Sequence, residues 1–91
     1  MAVTVKLPTQ LRDATDGQAE VSGEGATVGE VLESLYGRFE PLRERLTDGE
    51  GGLRRFVNVY VGGEDIRFLD GLDTRVEDGA ELNVLPAVAG G

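Results

Sequence analysis

Apolar and polar side chains alternate along three segments of the chain, residues 3–7, 56–61 and 81–85. A period of two is typical of a half-buried β-strand, in which successive side chains point to opposite faces of the sheet. Two shorter segments, residues 18–21 and 66–68, are predicted as further strands because each follows a turn sequence. These turns read Asp-Ala-Thr-Asp-Gly and Gly-Gly-Glu-Asp.

One segment in the middle of the chain has the spacing of an amphipathic helix. Its apolar stripe occupies positions i, i+3, i+4 and i+7, namely Val28, Val31, Leu32 and Leu35. The preceding Thr27 and Glu30 form a capping box, which predicts that the Thr27 hydroxyl accepts a first-turn N–H and that Glu30 reaches back to the Thr27 N–H. Gly37 is the predicted C′ residue, and residues 41–46 are predicted to add a helical turn.

The order of these elements is strand, strand, helix, loop, strand, short strand and strand, which predicts an α+β fold. We expect a small mixed sheet of about five strands, covered on one face by one main helix, with the first and last strands adjacent at its centre. This pattern is that of the β-grasp, or ubiquitin-like, fold. Residues 1–86 would form the domain, and residues 87–91 a flexible C-terminal tail.

The composition excludes several classes of chemistry. The 91-residue chain has no Cys and no His, so thiolate nucleophiles, His general bases and Cys/His metal sites are excluded, and no metal site is predicted. A net charge of −8 argues against binding nucleic acid or an anionic membrane surface. The sequence shows no apolar run of signal-peptide or membrane-spanning length, so we expect a cytoplasmic protein.

The segment after the last strand is the most informative for function. It carries no charged side chain and reads Leu85, Pro86, Ala87, Val88, Ala89, Gly90, Gly91. Pro86 cannot donate to a central ladder, so pairing should end there, and the residues after Leu85 can extend over roughly 20 Å. Disordered tails are typically polar, whereas apolar residues followed by two glycines suit insertion into a narrow channel of a partner. A frayed terminus is the alternative.

The strand at residues 56–61 predicts a docking surface. Its valines share one face, which the helix should cover, while Phe56, Asn58 and Tyr60 share the other. That second face would expose aromatic side chains beside the tail, as a binding surface for a partner protein. Ordinary sheet-surface packing is the alternative. The doublet Arg54-Arg55 is predicted to protect the strand edge by its charge.

Three segments carry a resemblance to a known family. Residues 55–61 read Arg-Phe-Val-Asn-Val-Tyr-Val, residues 64–68 read Glu-Asp-Ile-Arg-Phe, and residues 78–91 run from Asp-Gly to Leu-Pro-Ala-Val-Ala-Gly-Gly. Together with the opening strand and the capped helix, they resemble the ubiquitin-like sulfur carriers, which include the thiamine sulfur carrier and the small subunit of molybdopterin synthase. Within that family, the sequence is most similar to the carriers that supply sulfur for cysteine synthesis.

The resemblance implies a protein cosubstrate rather than an enzyme. The Gly91 carboxylate would attack the α-phosphate of ATP on a ubiquitin-activating-type adenylyltransferase and sulfurtransferase, which uses ATP and magnesium. A sulfur donor would then displace AMP and leave a thiocarboxylate at Gly91, next to Gly90. A downstream synthase would receive the tail and use the sulfur, and a metalloprotease that releases the product is a further implied partner. The carrier itself would bind no cofactor.

Other functions share these sequence features. The chain would also suit a small subunit of molybdopterin synthase, a protein modifier joined through Gly91 to target lysines, or an interaction domain with an inert tail. A single lysine, Lys6, leaves little for lysine-linked self-conjugation. The final sulfur acceptor stays open among cysteine, thiamine, molybdopterin and a sulfur-containing secondary metabolite.

Overall fold

The computed structural model describes residues 2–48, 52–54 and 57–86, with the backbone alone at residue 86. Five strands form one sheet, and two α-helices lie between the second and third strands in the chain. The strands are β1 (Ala2–Lys6), β2 (Glu20–Glu24), β3 (Val57–Val61), β4 (Glu64–Asp65) and β5 (Glu81–Pro86). The helices are α1 (Val28–Tyr36) and α2 (Glu40–Leu46), and short 3-10 helices span Thr9–Thr15, Ile66–Phe68 and Gly71–Asp73.

The sheet has the strand order β2-β1-β5-β3-β4. The first and last strands, β1 and β5, pair in parallel, with Val5 opposite Leu82, and every other neighbouring pair is antiparallel. Parallel strands need a crossover connection, so the chain between them must pass over one face of the sheet. This arrangement confirms the predicted β-grasp fold, with the first and last strands at the centre.

The core lies between the helices and one face of the sheet, here called the inner face. Alternate residues of the three central strands are buried there, namely Val3, Val5, Val57, Val59, Leu82 and Val84. The predicted stripe of α1 is also buried against them. A close approach of β2 to α1 requires Gly23, because an added Cβ would lie 2.8 Å from Cγ1 of Val31.

The first turn of α1 forms the predicted cap with one difference. The Glu30 N–H donates to the Thr27 hydroxyl at 3.2 Å, as expected. The Glu30 carboxylate, however, accepts from the Ala26 N–H at 2.9 Å rather than from Thr27.

The connection between the two helices corrects the interpretation of Gly37. This residue is the C-cap of α1 with right-handed backbone, φ −68° and ψ −26°, rather than a left-handed C′ residue. The chain does not reverse there, because it enters α2 at Glu40 after only three residues. The predicted helical turn at residues 41–46 is therefore part of a seven-residue helix, and Leu42 and Leu46 are its buried residues.

The segment between β1 and β2 differs from the prediction. Residues 9–15 form a 3-10 helix, and the turn is confined to Asp16 and Gly17, which both have positive φ. The Gln18 N–H is held by the Thr15 carbonyl at 3.0 Å, so the second strand begins at Glu20 rather than at residue 18. Hydrogen bonds within the turn therefore move the start of the second strand from residue 18 to Glu20.

The hairpin after β3 also differs. Gly62 and Gly63 both have positive φ, so pairing resumes immediately at Glu64–Asp65, where a turn was predicted. The Asp65 carboxylate then accepts the Arg67 N–H at 2.8 Å. This cap starts a 3-10 helix at Ile66, and the predicted strand at residues 66–68 is wrong. Burial of Ile66 in the core favours the helical turn.

The cap of α1 provides a test of the fold. Replacing Thr27 by Ala should lower the free energy of unfolding by about 1 kcal/mol, because a first-turn N–H loses its acceptor. Urea unfolding followed by circular dichroism measures the change. Thr9→Ala is the matched control, since Thr9 is exposed at the start of a 3-10 helix, and it should stay within about 0.5 kcal/mol. Equal destabilisation by both variants would contradict the role of the cap.

Candidate functional site

The structure brings three of the predicted partner-binding residues together on the sheet face opposite the helices, here called the outer face. Asn58 pairs with Leu85 across β3 and β5, and Tyr60 pairs with Asn83. Tyr60 is therefore a diagonal neighbour of Leu85, within reach of its side chain. Leu85 is 46% exposed, and Asn58 and Tyr60 are half-buried. The expected division of β3 into an inner valine face and an outer Asn-Tyr face is confirmed.

The other predicted site residues extend from this surface. Pro86 is the last residue of β5 and lies opposite Val57, the first residue of β3. Phe56 and the tail residues Ala87, Val88, Ala89, Gly90 and Gly91 lie outside the described residues. Their predicted roles in docking and sulfur transfer stay predictions.

Sequence reasoning missed Arg67, which orders the end of the outer face. Its guanidinium donates to Oδ1 of Asn58 at 2.6 Å and to the carbonyl oxygen of Val57 at 2.8 Å. The two-residue β4 leaves this part of β3 without a strand partner, and the arginine side chain occupies that edge. The Asn58 amide, fixed by this contact, also carries two N–H donors.

The polar part of the outer face lies on β1 and β5. Lys6 forms an ion pair with Glu81 at 3.3 Å, and both side chains are about half exposed. Such a pair contributes little to stability in solvent. The ion pair places one charge of each sign beside Asn83, so the outer face combines an apolar end at Leu85 and Tyr60 with a polar end at β1.

Arg54, the described half of the arginine doublet, does not act as predicted. Arg54 donates from Nε and Nη2 to the carbonyl oxygen of Glu44, at 3.1 and 2.9 Å. It therefore satisfies a carbonyl in the last turns of α2 instead of protecting the edge of β3. Arg55 lies outside the described residues. Among the described residues, Arg67 is the cation at the edge of β3, and the sequence did not indicate its place because the strand predicted at residues 66–68 is a helical turn.

Among the described residues, Tyr36 is the group whose protonation the fold changes clearly. Burial raises the pKa of Tyr36 to about 12, the nearby Glu33 carboxylate acts in the same direction, and the Arg43 guanidinium opposes both. The Arg43 guanidinium lies 5.2 Å from the centre of the Tyr36 ring. The phenol is thus neutral at physiological pH. Within the described ranges, no group of three or more acidic side chains is arranged to hold a metal ion.

The fold and the outer face define the class of protein as ubiquitin-like β-grasp. The structure is similar to a chain in the crystal structure of the Amycolatopsis orientalis BexX/CysO complex, with a TM-score of 0.89 and 48% sequence identity. The similarity covers 98% of this chain and 99% of that chain. In the part of the chain that the structure describes, no helix is long and apolar enough to cross a membrane.

Sequence comparison places the chain in a family. A model of the ThiS family matches residues 5–91, and the chain belongs to that family. The sulfur carrier protein CysO of Mycobacterium tuberculosis is 50% identical over 93 residues, which cover both chains completely. The small archaeal modifier protein 3 of Haloferax volcanii is 42% identical over 66 residues, covering 72% of this chain and 71% of the relative.

The shifted pKa of Tyr36 predicts a pH dependence of stability. The folded protein retains the phenol proton up to about pH 12, whereas an unfolded tyrosine loses it near pH 10. The stabilisation is complete below about pH 10 and is lost as the pH rises through about 12. Urea unfolding at increasing alkaline pH should therefore show a loss of up to roughly 2 kcal/mol that Tyr36→Phe does not show.

Tyrosinate absorbance identifies the residue responsible for this loss. The chain has two tyrosines, and a component with a midpoint near pH 12 should disappear in Tyr36→Phe and persist in Tyr60→Phe. A wild-type titration without such a component would contradict the effect of burial on Tyr36.

Proposed function

We propose that the protein is a sulfur carrier whose C-terminal Gly91 is converted to a thiocarboxylate. The observation that carries the proposal is the full-length similarity to a sulfur carrier, together with a family match that extends to residue 91. In the sequence, three residues separate the Gly-Gly end from the central strand β5, and the outer face of the sheet carries apolar and hydrogen-bonding groups. A reactive group on such a tail is presented to partner enzymes at a distance from the folded domain.

The proposed chemistry needs activation because a carboxylate has a poor leaving group. On an adenylating enzyme, the Gly91 carboxylate oxygen attacks the α-phosphate of ATP, with magnesium bound by the enzyme, and pyrophosphate leaves. A sulfur donor then attacks the carbonyl carbon of the mixed anhydride, and AMP leaves. The product is a nucleophilic sulfur held covalently at Gly91. The chain contributes no Cys or His to these steps, so both enzymes supply their own catalytic groups.

The partners that follow from this chemistry are an adenylyltransferase and sulfurtransferase, and a synthase that uses the sulfur. We favour cysteine synthesis as the pathway because a CysO protein shares 50% sequence identity with this chain over its whole length. A metalloprotease that releases the product belongs to the same proposal. A solved complex of a relative with BexX supports the expectation that such carriers bind a folded partner.

In this proposal, the outer face is the surface on which a partner enzyme docks. Tyr60 and Leu85 offer apolar surface next to the start of the tail, and Asn58 offers N–H donors held in place by Arg67. A partner that contacts this surface receives the tail at a fixed position, because Pro86 is paired with Val57 of the neighbouring strand. Pairing at the end of β5 therefore limits the directions in which the tail can leave.

The reactive end provides the direct test. Deleting Gly91, or adding one residue after it, should abolish thiocarboxylate formation because the carboxylate no longer reaches the adenylating site. Intact mass after incubation with the activating enzyme, ATP, magnesium and a sulfur donor detects the exchange of oxygen for sulfur. Adding one residue before Met1 is the matched control and should leave the conversion unchanged. Normal sulfur transfer by a chain that ends at Gly90 would refute the proposal.

The outer face provides a separate test. Tyr60→Ala should weaken the complex with the activating enzyme by more than about 1 kcal/mol, because truncation of an aromatic anchor removes buried contact area. Ser22→Ala is the matched control, since Ser22 is exposed on β2 at the far end of the same sheet. Calorimetry measures both affinities, and thermal unfolding checks stability. Unchanged affinity of a stable Tyr60→Ala variant would indicate ordinary sheet-surface packing.

A second candidate function is protein modification, which the similarity to a small archaeal modifier protein favours. In that case an amine of a target lysine, rather than a sulfur donor, attacks the activated Gly91 carbonyl and forms an amide. Protease digestion of cell extracts followed by mass spectrometry would then find remnants of the tail on target lysines. The same activation step serves both functions, so their products distinguish them: a thiocarboxylate at Gly91 supports the carrier, and remnants of the tail on target lysines support the modifier.

A further inference from the structure

A groove lies on the helix side of the molecule, in the layer opposite the outer face. Its volume is about 440 Å³, and we call it the α1 groove. One wall is the side of α1 that runs from its N-cap to its last residue, and the other is formed by Leu53, Leu72 and the carboxylate of Asp73. The lining residues are Thr27, Gly29, Glu30, Leu32, Glu33, Tyr36, Leu53, Leu72 and Asp73.

The α1 groove has an apolar interior. Leu32 and Tyr36 are buried in its floor, and Leu53 and Leu72 are half-buried at its sides. The two walls approach each other closely at Gly29, where an added Cβ would lie 3.1 Å from the Leu72 carbonyl oxygen. Tyr36 contributes an aromatic ring with a neutral hydroxyl.

The rim of the α1 groove is acidic. Three exposed carboxylates lie there, those of Glu30, Glu33 and Asp73. Glu30 accepts the Ala26 N–H and Glu33 pairs with Arg43 at 3.5 Å, so each retains acceptor capacity. Among the described residues, the Asp73 carboxylate forms no ion pair. An apolar interior with an acidic rim is complementary to a cation on an apolar stem.

We propose that the α1 groove binds an arginine side chain of a partner protein. The aliphatic stem of arginine would pack between Leu53 and Leu72, and the guanidinium would reach Asp73 and Glu33 at the rim. Arginine is favoured over lysine because its planar guanidinium is weakly hydrated and donates to two carboxylates at once. The proposal does not depend on the chemistry of Gly91.

The position of the α1 groove relates the proposed arginine contact to the base of the tail. A second, smaller cavity of about 220 Å³ shares Leu53 and Leu72 with the α1 groove and continues to Val57 and Arg67. Val57 is paired with Pro86, the residue from which the tail departs. A partner anchored in the α1 groove could therefore extend to the base of the tail while the outer face stays accessible. Two proteins could then hold the carrier at once from opposite sides of the sheet.

The test uses a short capped peptide with one central arginine between alanines, titrated into the isotopically labelled full chain. Amide shifts in nuclear magnetic resonance spectra should be saturable and centred on Gly29, Leu72 and Asp73. The same peptide with citrulline, which has the shape of arginine without its charge, should bind about tenfold more weakly.

Matched variants separate the groove from the general negative charge of the protein. Asp73→Asn should weaken arginine-peptide binding several-fold, whereas Glu64→Gln, an equal change of net charge on the exposed β4, should not. Equal weakening by the two variants, equal binding of the citrulline peptide, or shifts spread over the whole acidic surface would overturn the proposal. A lysine peptide that binds as tightly as the arginine peptide would overturn the choice of arginine.

Discussion

The parallel pairing of β1 with β5 is the interaction on which the rest of this structure depends. Val5 and Leu82 lie opposite each other in that pair and are fully buried. Residues from the two ends of the described chain thus form the centre of the sheet, and both helices must lie in the crossover between them. Without β5, the antiparallel pair β3–β4 would lose its connection to β1 and β2.

This central strand also determines where function can lie. Along β5, Leu82 and Val84 point into the core, whereas Asn83 and Leu85 point to the outer face. The strand then ends at Pro86, and the proposed reactive tail follows. The base of the tail is therefore attached to a central strand of the sheet, and a partner that docks on the outer face as proposed would meet it in a fixed position. Chemistry at the tail need not disturb the core.

The two faces of the molecule offer different kinds of contact. The outer face combines an aromatic ring, an exposed leucine and an ordered asparagine, which suits a broad protein interface. The α1 groove on the helix side is narrow, apolar inside and acidic at its rim, which suits one basic side chain. A protein that delivers a covalently held group must bind and leave more than one enzyme, and separate surfaces allow one partner to arrive before another departs.

The sequence by itself determined the elements whose signals are local. The apolar stripe of α1, its threonine cap and the alternation in β1, β3 and β5 depend on residues within one element, and all of them are present in the structure. The inner and outer faces of β3 followed from the same alternation. The tail is evident in the sequence because it lacks charged side chains and ends in two glycines, and neither feature depends on a tertiary contact.

Tertiary structure decided the features that depend on contacts between distant segments. The turn at Gly62 and Gly63 allowed β4 to pair at once, and burial of Ile66 then favoured a 3-10 helix over a strand. That turn placed Arg67 against Asn58, nine residues earlier, so its role at the edge of β3 could not be inferred from the sequence. The α1 groove likewise needs Leu53 and Leu72 beside α1. Periodicity specifies which face of an element is apolar, and only packing specifies what that face meets.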